Sequence, residues 1–153
     1  MALLPKWLKL HQVGAVPIKR DEAGTLFVLL ITSRETRRWI VPKGWPMLGR
    51  PDYKAAAIEA REEAGVVGRV HRFPVGYYDY LKIRPGRTDM LRVVLYVLEV
   101  ERQLKQWPER GQREVRWFSA AEAAKAVAQP ELAAVIRGLS VLEPKPRPRS
   151  EPI

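Results

Sequence analysis

The sequence predicts an α+β fold, an α/β/α sandwich with a mixed sheet between helices, and three observations lead there. Short runs rich in Val, Ile, Leu and Tyr, bounded by Gly, Pro and Asp, recur along the chain and read as strands. An alanine- and glutamate-rich stretch over residues 52–64 interrupts them and ends on Gly65, where a helix C-cap belongs. Two more alanine-rich stretches follow the last strand, so the order is strand-rich with a few helices. The 153 residues suit one domain, and 46% hydrophobic residues suffice for a sizeable core.

In chain order, residues 1–10 mix apolar and basic positions and read as an extension able to pack through Leu3, Leu4 and Trp7. Residues 12–19 and 26–32 form a hairpin around the turn Arg20-Asp21-Glu22-Ala23-Gly24. A third strand over 39–41 stops at Pro42, and the Gly/Pro clusters of 43–51 make a loop leading into the 52–64 helix. Strands follow at 70–83, bent at Pro74-Val75-Gly76, and at 91–100, joined by a Pro85-Gly86-Arg87 turn. A short strand over 115–118 runs into a helix over 120–128 capped by Ser119, and a last helix covers 131–139. From Pro144 the chain alternates prolines with Lys and Arg and reads as a disordered tail. The organisation is thus an N-terminal extension over 1–11, a domain over 12–139 and a basic tail over 140–153.

The composition excludes several function classes. Without cysteine there is no disulfide, thiolate metal site or cysteine nucleophile, and two histidines leave little for structural zinc. The longest apolar run, Leu26 to Ile31, has six residues, against about 20 for a spanning helix. The opening MALLPKWLKL is too short for a secretory signal. The expectation is a soluble, cytoplasmic protein without a membrane partner. Its formal charge of +10 by itself points to any polyanion, whether a nucleic acid, a membrane surface or a phosphate-rich small molecule, and the phosphate-rich small molecule is the first expectation, with nucleic acid second.

On a helical wheel at about 100° per residue, Tyr53, Ala56, Ala57, Ala60 and Ala64 gather on one side, and Glu59, Glu62 and Glu63 are expected on the other. An acidic helix face is commonly just solvated. Here the surroundings are basic, and a Gly/Pro-rich loop leads straight into the helix. Clustered carboxylates are what a hard divalent cation such as Mg²⁺ or Mn²⁺ requires.

The stretch Gly44-Trp45-Pro46-Met47-Leu48-Gly49-Arg50, then seven residues, then Ile58-Glu59-Ala60-Arg61-Glu62-Glu63-Ala64-Gly65-Val66, resembles the Nudix box. The family pattern is G-x5-E-x7-R-E-U-x-E-E-x-G-U, with U apolar. The sequence departs from it at Arg50, in place of the first glutamate, and at Ile58, in place of the arginine. Upstream, Ser33-Arg34-Glu35-Thr36-Arg37-Arg38-Trp39-Ile40-Val41-Pro42 is similar to a stretch of the diphosphoinositol polyphosphate and diadenosine polyphosphate phosphohydrolases. Downstream, Trp107 and Arg116-Trp117-Phe118 before an alanine-rich helix resemble the end of the same fold.

The resemblance implies a Nudix fold with a loop–helix–loop catalytic box. It also implies metal-dependent hydrolysis of a phosphoanhydride, with water attacking phosphorus. Glu59, Glu63 and the Gly44 carbonyl are the implied metal ligands. Glu62 is a further ligand or, like Glu63, a catalytic residue acting as general base. A further carboxylate from a later loop is common in the superfamily, and Glu114 is the expected one. On the substrate side the candidates are Lys19, Arg34, Arg38, Lys43 and Trp45. Arg20, Arg37, Arg87, Arg92 and Arg116 are further cations that suit phosphate or solvent alike. Trp39 reads as core before it reads as a stacking surface, and His11 and His71 receive no role.

The expected substrate is a diphosphoinositol polyphosphate or a diadenosine polyphosphate. ADP-ribose, other nucleoside diphosphate derivatives and triphosphorylated RNA are the rivals. A different reading is a Nudix domain that binds a phosphorylated ligand or nucleic acid without hydrolysis, suggested by Arg50 and Ile58. The three retained glutamates weigh against it. The sequence leaves the oligomeric state open.

Overall fold

The computed structural model describes residues 11–141, so the extension over 1–10 and the tail over 142–153 lie outside the described residues. The strands are β1 (His11–Arg20), β2 (Leu26–Thr32), β3 (Trp39–Ile40), β4 (Lys43–Gly44), β5 (Val66–Val70), β6 (Gly76–Arg84), β7 (Arg87–Gln103) and β8 (Val115–Ser119). The helices are α1 (Asp52–Ala64), α2 (Ala120–Ala126) and α3 (Pro130–Leu139). The strands form one mixed sheet with the order β3-β2-β1-β7-β5; β4 joins β1, β6 joins β7 and β8 joins β2. The pairing of β1 with β7 is parallel, while β1 and β2 pair antiparallel.

Alternation along the strands builds two cores, because successive side chains point to opposite faces. In β2, Val28 and Leu30 enter one core with Val93, Leu95 and Val97 of β7. Ala123, Leu132, Ile136 and Leu139 of α2 and α3 cover that face. Leu29 and Ile31 enter the other core with Val13, Ala15 and Leu98, covered by Ala55, Ala56, Ala60 and Ala64 of α1. Each fully buried Leu or Ile contributes about 1.5–3 kcal/mol. The α1 alanines contribute less individually but let the helix backbone approach the sheet closely. Helices therefore cover both faces, as an α/β/α sandwich requires.

The loop expected over 43–51 begins instead as sheet. β1 and β2 pair only beside the hairpin turn, from Ile18 to Arg20, and lie apart on the far side of Ile18. The segment carrying β3 and β4 enters the gap: Ile31 and Thr32 pair with Ile40 and Trp39, while Val13 and Gly14 pair with Gly44 and Lys43. Pro42 cannot donate and splits the segment, but its carbonyl accepts from Ala15 N at 3.0 Å. Pairing this short leaves no periodic trace in the sequence.

The single bent strand expected over 70–83 is two strands, β5 and β6, which pair with different parts of β7. The intervening turn stays hydrogen-bonded to β7 through His71 N to Val97 O and Val75 N to Leu95 O, both 2.8 Å. β7 is longer than expected, because its charged ends pair in the sheet as well as its apolar middle. Ser119 caps α2 as expected, accepting from Glu122 N at 3.2 Å, but α2 ends earlier, at Ala126.

Gly65 caps α1 in the left-handed region, with φ 69°. A Cβ there would also collide with the Trp107 ring. Gly65→Ala is expected to destabilise the fold by more than about 1 kcal/mol, because both backbone strain and a clash oppose it. A urea titration should show a lower midpoint with an unchanged slope.

Candidate active site

Helix α1 delivers the acidic residues, although not as the wheel suggested. Glu63 is buried at 6% exposure and lies with the alanines, while Ala57 is only half-buried. Seven residues separate Ala56 from Glu63, and at about 100° each they return to within about 20° of the same direction. Glu63 therefore points along the covered edge of the helix, toward β4.

Two contacts define the centre of the site. Glu63 Oε1 accepts from the Lys43 main-chain N–H at 3.1 Å. The Glu59 carboxyl lies so close to Gly44 that any Cβ there would fall far inside van der Waals contact. A side chain at position 44 would therefore push the Glu59 carboxyl away from the β4 main chain; glycine serves proximity here rather than φ. The pair of carboxylates is crowded and partly removed from water. Burial first and the neighbouring Glu63 second raise the Glu59 carboxyl to about 8. Burial also raises Glu63, opposed by the positive Arg113 and by the Lys43 N–H.

The C-terminus of α1 shapes the opposite rim. The last carbonyls of a helix lack partners within the helix. Here Glu62 O accepts from Glu109 N at 3.0 Å, and Gly65 O accepts from Leu104 N at 2.7 Å. Gln103 Nε2 donates to Ala64 O and Gly65 O at 3.2 and 2.9 Å. These bonds dock the loop over residues 104–114 onto α1, and the Glu109 charge acts on both Glu59 and Glu63. Arg113 donates to Glu109 Oε1 at 3.0 Å and lies 3.8 Å from Glu63 Oε2. The loop carboxylate beside the pair is therefore Glu109, in place of Glu114. Glu114 is exposed and uses its main chain to pair with Thr32.

Lys43 extends from the same β4 into a polar cluster. Its Nζ donates to Tyr80 Oη at 2.9 Å and to Gln12 Oε1 at 3.4 Å, and Tyr80 Oη donates to Gln12 Oε1 at 2.8 Å. Burial lowers the Lys43 ammonium to about 8, with Glu63 opposing the shift. Burial likewise pushes the Tyr80 hydroxyl up to about 12.

The other expected substrate residues are distributed unevenly. Trp45 follows Gly44 directly and is 44% exposed. Arg34 reaches the docked loop, donating to Gln112 Oε1 at 3.0 Å and lying 3.7 Å from Glu109. Arg38 is exposed at the end of the same 33–38 turn, and Arg37 donates to Gln112 O at 3.4 Å. Lys19 is not brought to the carboxylates. It sits five residues beyond Gly14 on β1, a distance of about 17 Å along an extended strand. There it stacks over Trp117 at 4.2 Å, in a depression also lined by Arg20, Asp21 and Phe27.

Arg87 and Arg92 are ion-paired to Asp89 and Asp79, and Arg116 stacks on Phe118 and Trp39. Trp39 packs on the core, edge-on to Phe118 at 4.9 Å. Both histidines have partners after all: His11 meets Asp52 at 3.0 Å, and His71 meets Glu99 at 2.8 Å.

Sequence reading missed Glu109, Arg113, Tyr80 and Gln12. Only the docking of the 104–114 loop and the sheet register bring them in, and neither has a local signal.

Among the described residues, no three Asp, Glu or His side chains form a ready-made metal cage. What converges is two carboxylates on the β4 main chain, Glu59 beside Gly44 and Glu63 on the Lys43 N–H. Mg²⁺ is commonly held by only one or two carboxylates, with water and substrate phosphates completing its shell. An all-oxygen pair of acids that repel each other fits such an ion.

The chain matches the family model described as NUDIX domain over residues 9–139. It is 32% identical over 149 residues to Nudix hydrolase 18, mitochondrial, of Arabidopsis thaliana, an alignment covering 91% of this chain and 83% of that protein. It is 33% identical over 108 residues to human Diphosphoinositol polyphosphate phosphohydrolase 3-beta, covering 69% of this chain and 62% of the human protein, less than two thirds of that relative's length. A C. elegans Ap4A hydrolase crystal structure shares the fold, with a TM-score of 0.62 at 21% identity over 86% of this chain and 95% of that one.

The crowding of Glu59 makes a prediction for the metal-free protein. Its folded value of about 8 lies above its ordinary 4.5, so the folded state holds a proton that the unfolded chain releases. Stability in chelator is then expected to fall as pH rises from about 5 to about 8, since the unfolded state binds fewer protons there. Thermal midpoints measured across that range should decline, and Glu59→Gln should flatten the decline.

Proposed function

The chain belongs to the NUDIX domain family and is one of its hydrolases, and on that premise we propose that it cleaves a phosphoanhydride bond in a diphosphoinositol polyphosphate or a diadenosine polyphosphate, using Mg²⁺ or Mn²⁺. The observation that carries the reading is the pair of carboxylates on the β4 main chain, Glu59 beside Gly44 and Glu63 on the Lys43 N–H. A basic rim beside that pair supports a substrate dense in phosphates.

In this reading Glu59, Glu63 and the Gly44 carbonyl would hold the cation, with Glu62 on the same helix as a further ligand. A bound divalent cation offsets phosphate charge and favours ionisation of water. The chain's own groups do the rest. Lys43, held by Tyr80 and Gln12, supplies a point charge toward the phosphates. Arg34 and Arg38 extend the cationic rim, and Trp45 offers an exposed ring beside the Gly44 turn. Lys19 has no part in the first contacts with the reacting phosphate, given its distance along β1. Glu62 or Glu63 accepts the proton of the attacking water. Catalysis by such a site depends on positioning and charge stabilisation more than on covalent chemistry.

The test is a panel of diphosphoinositol phosphates, dinucleoside polyphosphates, ADP-ribose and triphosphorylated RNA, each incubated with the protein and Mg²⁺ or Mn²⁺. Turnover is expected with the first two classes and should disappear in EDTA. Glu63→Gln keeps an acceptor for the Lys43 N–H, so the fold should persist while kcat drops by at least about a hundredfold. Undiminished activity in that variant would contradict the assignment.

A further inference from the structure

Arg113 is a charged side chain that the proposed chemistry does not use, and it is 8% exposed. Burying a guanidinium is unfavourable unless its donors are met. Two hydrogen bonds and an ion pair, from three elements, surround it here. Nε donates to Glu109 Oε1 at 3.0 Å, Nη1 donates to Thr32 O at the end of β2 at 3.1 Å, and Nη2 lies 3.8 Å from Glu63 Oε2 on α1. The other Glu63 oxygen is taken by the Lys43 N–H. The carboxylate of Glu63 is therefore held between β4 and Arg113, and Glu109 is tied to the same guanidinium. The planar fork of arginine is what allows one side chain to bond two acceptors and still face a third group.

We infer that Arg113 is a positioning residue of the hydrolytic site, fixing the Glu63 and Glu109 carboxylates relative to each other and to the Gly44 backbone. This rests on the function proposed above. Arg113 is anchored to the sheet through Thr32 while Glu109 rides on the docked loop, so the residue transmits the sheet's geometry to two acids from different elements. Lysine keeps the charge but has a single ammonium and cannot span the same acceptors.

The experiment compares wild type, Arg113→Lys and Arg113→Gln by Mn²⁺ titration of the substrate-free protein, with kcat and KM on whichever phosphoanhydride substrate the wild type turns over. Loss of a residue that orients metal ligands typically weakens metal affinity by 10–100-fold, so both variants should bind Mn²⁺ at least about tenfold more weakly. At saturating Mn²⁺, kcat should fall while KM stays within about threefold of wild type, since no substrate contact is removed. If Arg113→Gln does not fold, Arg113→Lys carries the test alone. Mn²⁺ affinity in Arg113→Lys within about twofold of wild type would overturn the positioning role. Wild-type protein that bound no Mn²⁺ would overturn the proposed function itself.

Discussion

The close approach of α1 to the main chain at Gly44 is the constraint from which the rest of the site follows. It requires a helix face of alanines, a position 44 without a side chain, and a sheet that opens where the segment carrying β3 and β4 enters. β1 and β2 are apart on the N-terminal side of Ile18, and the inserted segment carries Lys43 and Gly44 to the helix. Without that opening, Glu59 and Glu63 would face the sheet's apolar side chains. With it they face main-chain atoms, the kind of surface on which two acids and a cation can meet.

The arrangement is electrostatically unfavourable by itself. Glu59 and Glu63 repel each other in a partly dry place, and Glu109 adds to the repulsion. Arg113 and the Lys43 N–H offset only part of it. Sites of this kind trade stability for function, and the missing stabilisation is what a divalent ion would provide. The same loop that brings Glu109 satisfies the carbonyls at the end of α1, so helix capping and site assembly are one structural event.

Much of this was legible in the sequence, and the reasons are local. The bounds of α1 follow from helix propensity and from Gly65, whose left-handed φ only glycine adopts without strain. The hairpin of β1 and β2 follows from its turn residues, and Ser119 from its capping chemistry. The spacing of Glu59 and Glu63 also survives, although the wheel placed them on the wrong face: an axis drawn through the alanines does not reveal how far the covered arc extends.

What was not legible depends on contacts between distant segments. Glu109 and Arg113 reach the helix only because Trp107 packs against Gly65 and the loop caps α1. Tyr80 and Gln12 meet Lys43 across strands whose register no local pattern specifies. Lys19 looked close because it precedes the box, but β1 runs away from the site. The most direct test of the account is Mn²⁺ affinity in Gly44→Ala against Gly138→Ala, a position where a Cβ meets nothing. The first variant should lose Mn²⁺ binding while the second keeps it; equal affinity in both would mean that the Glu59–Gly44 approach does not build the metal site.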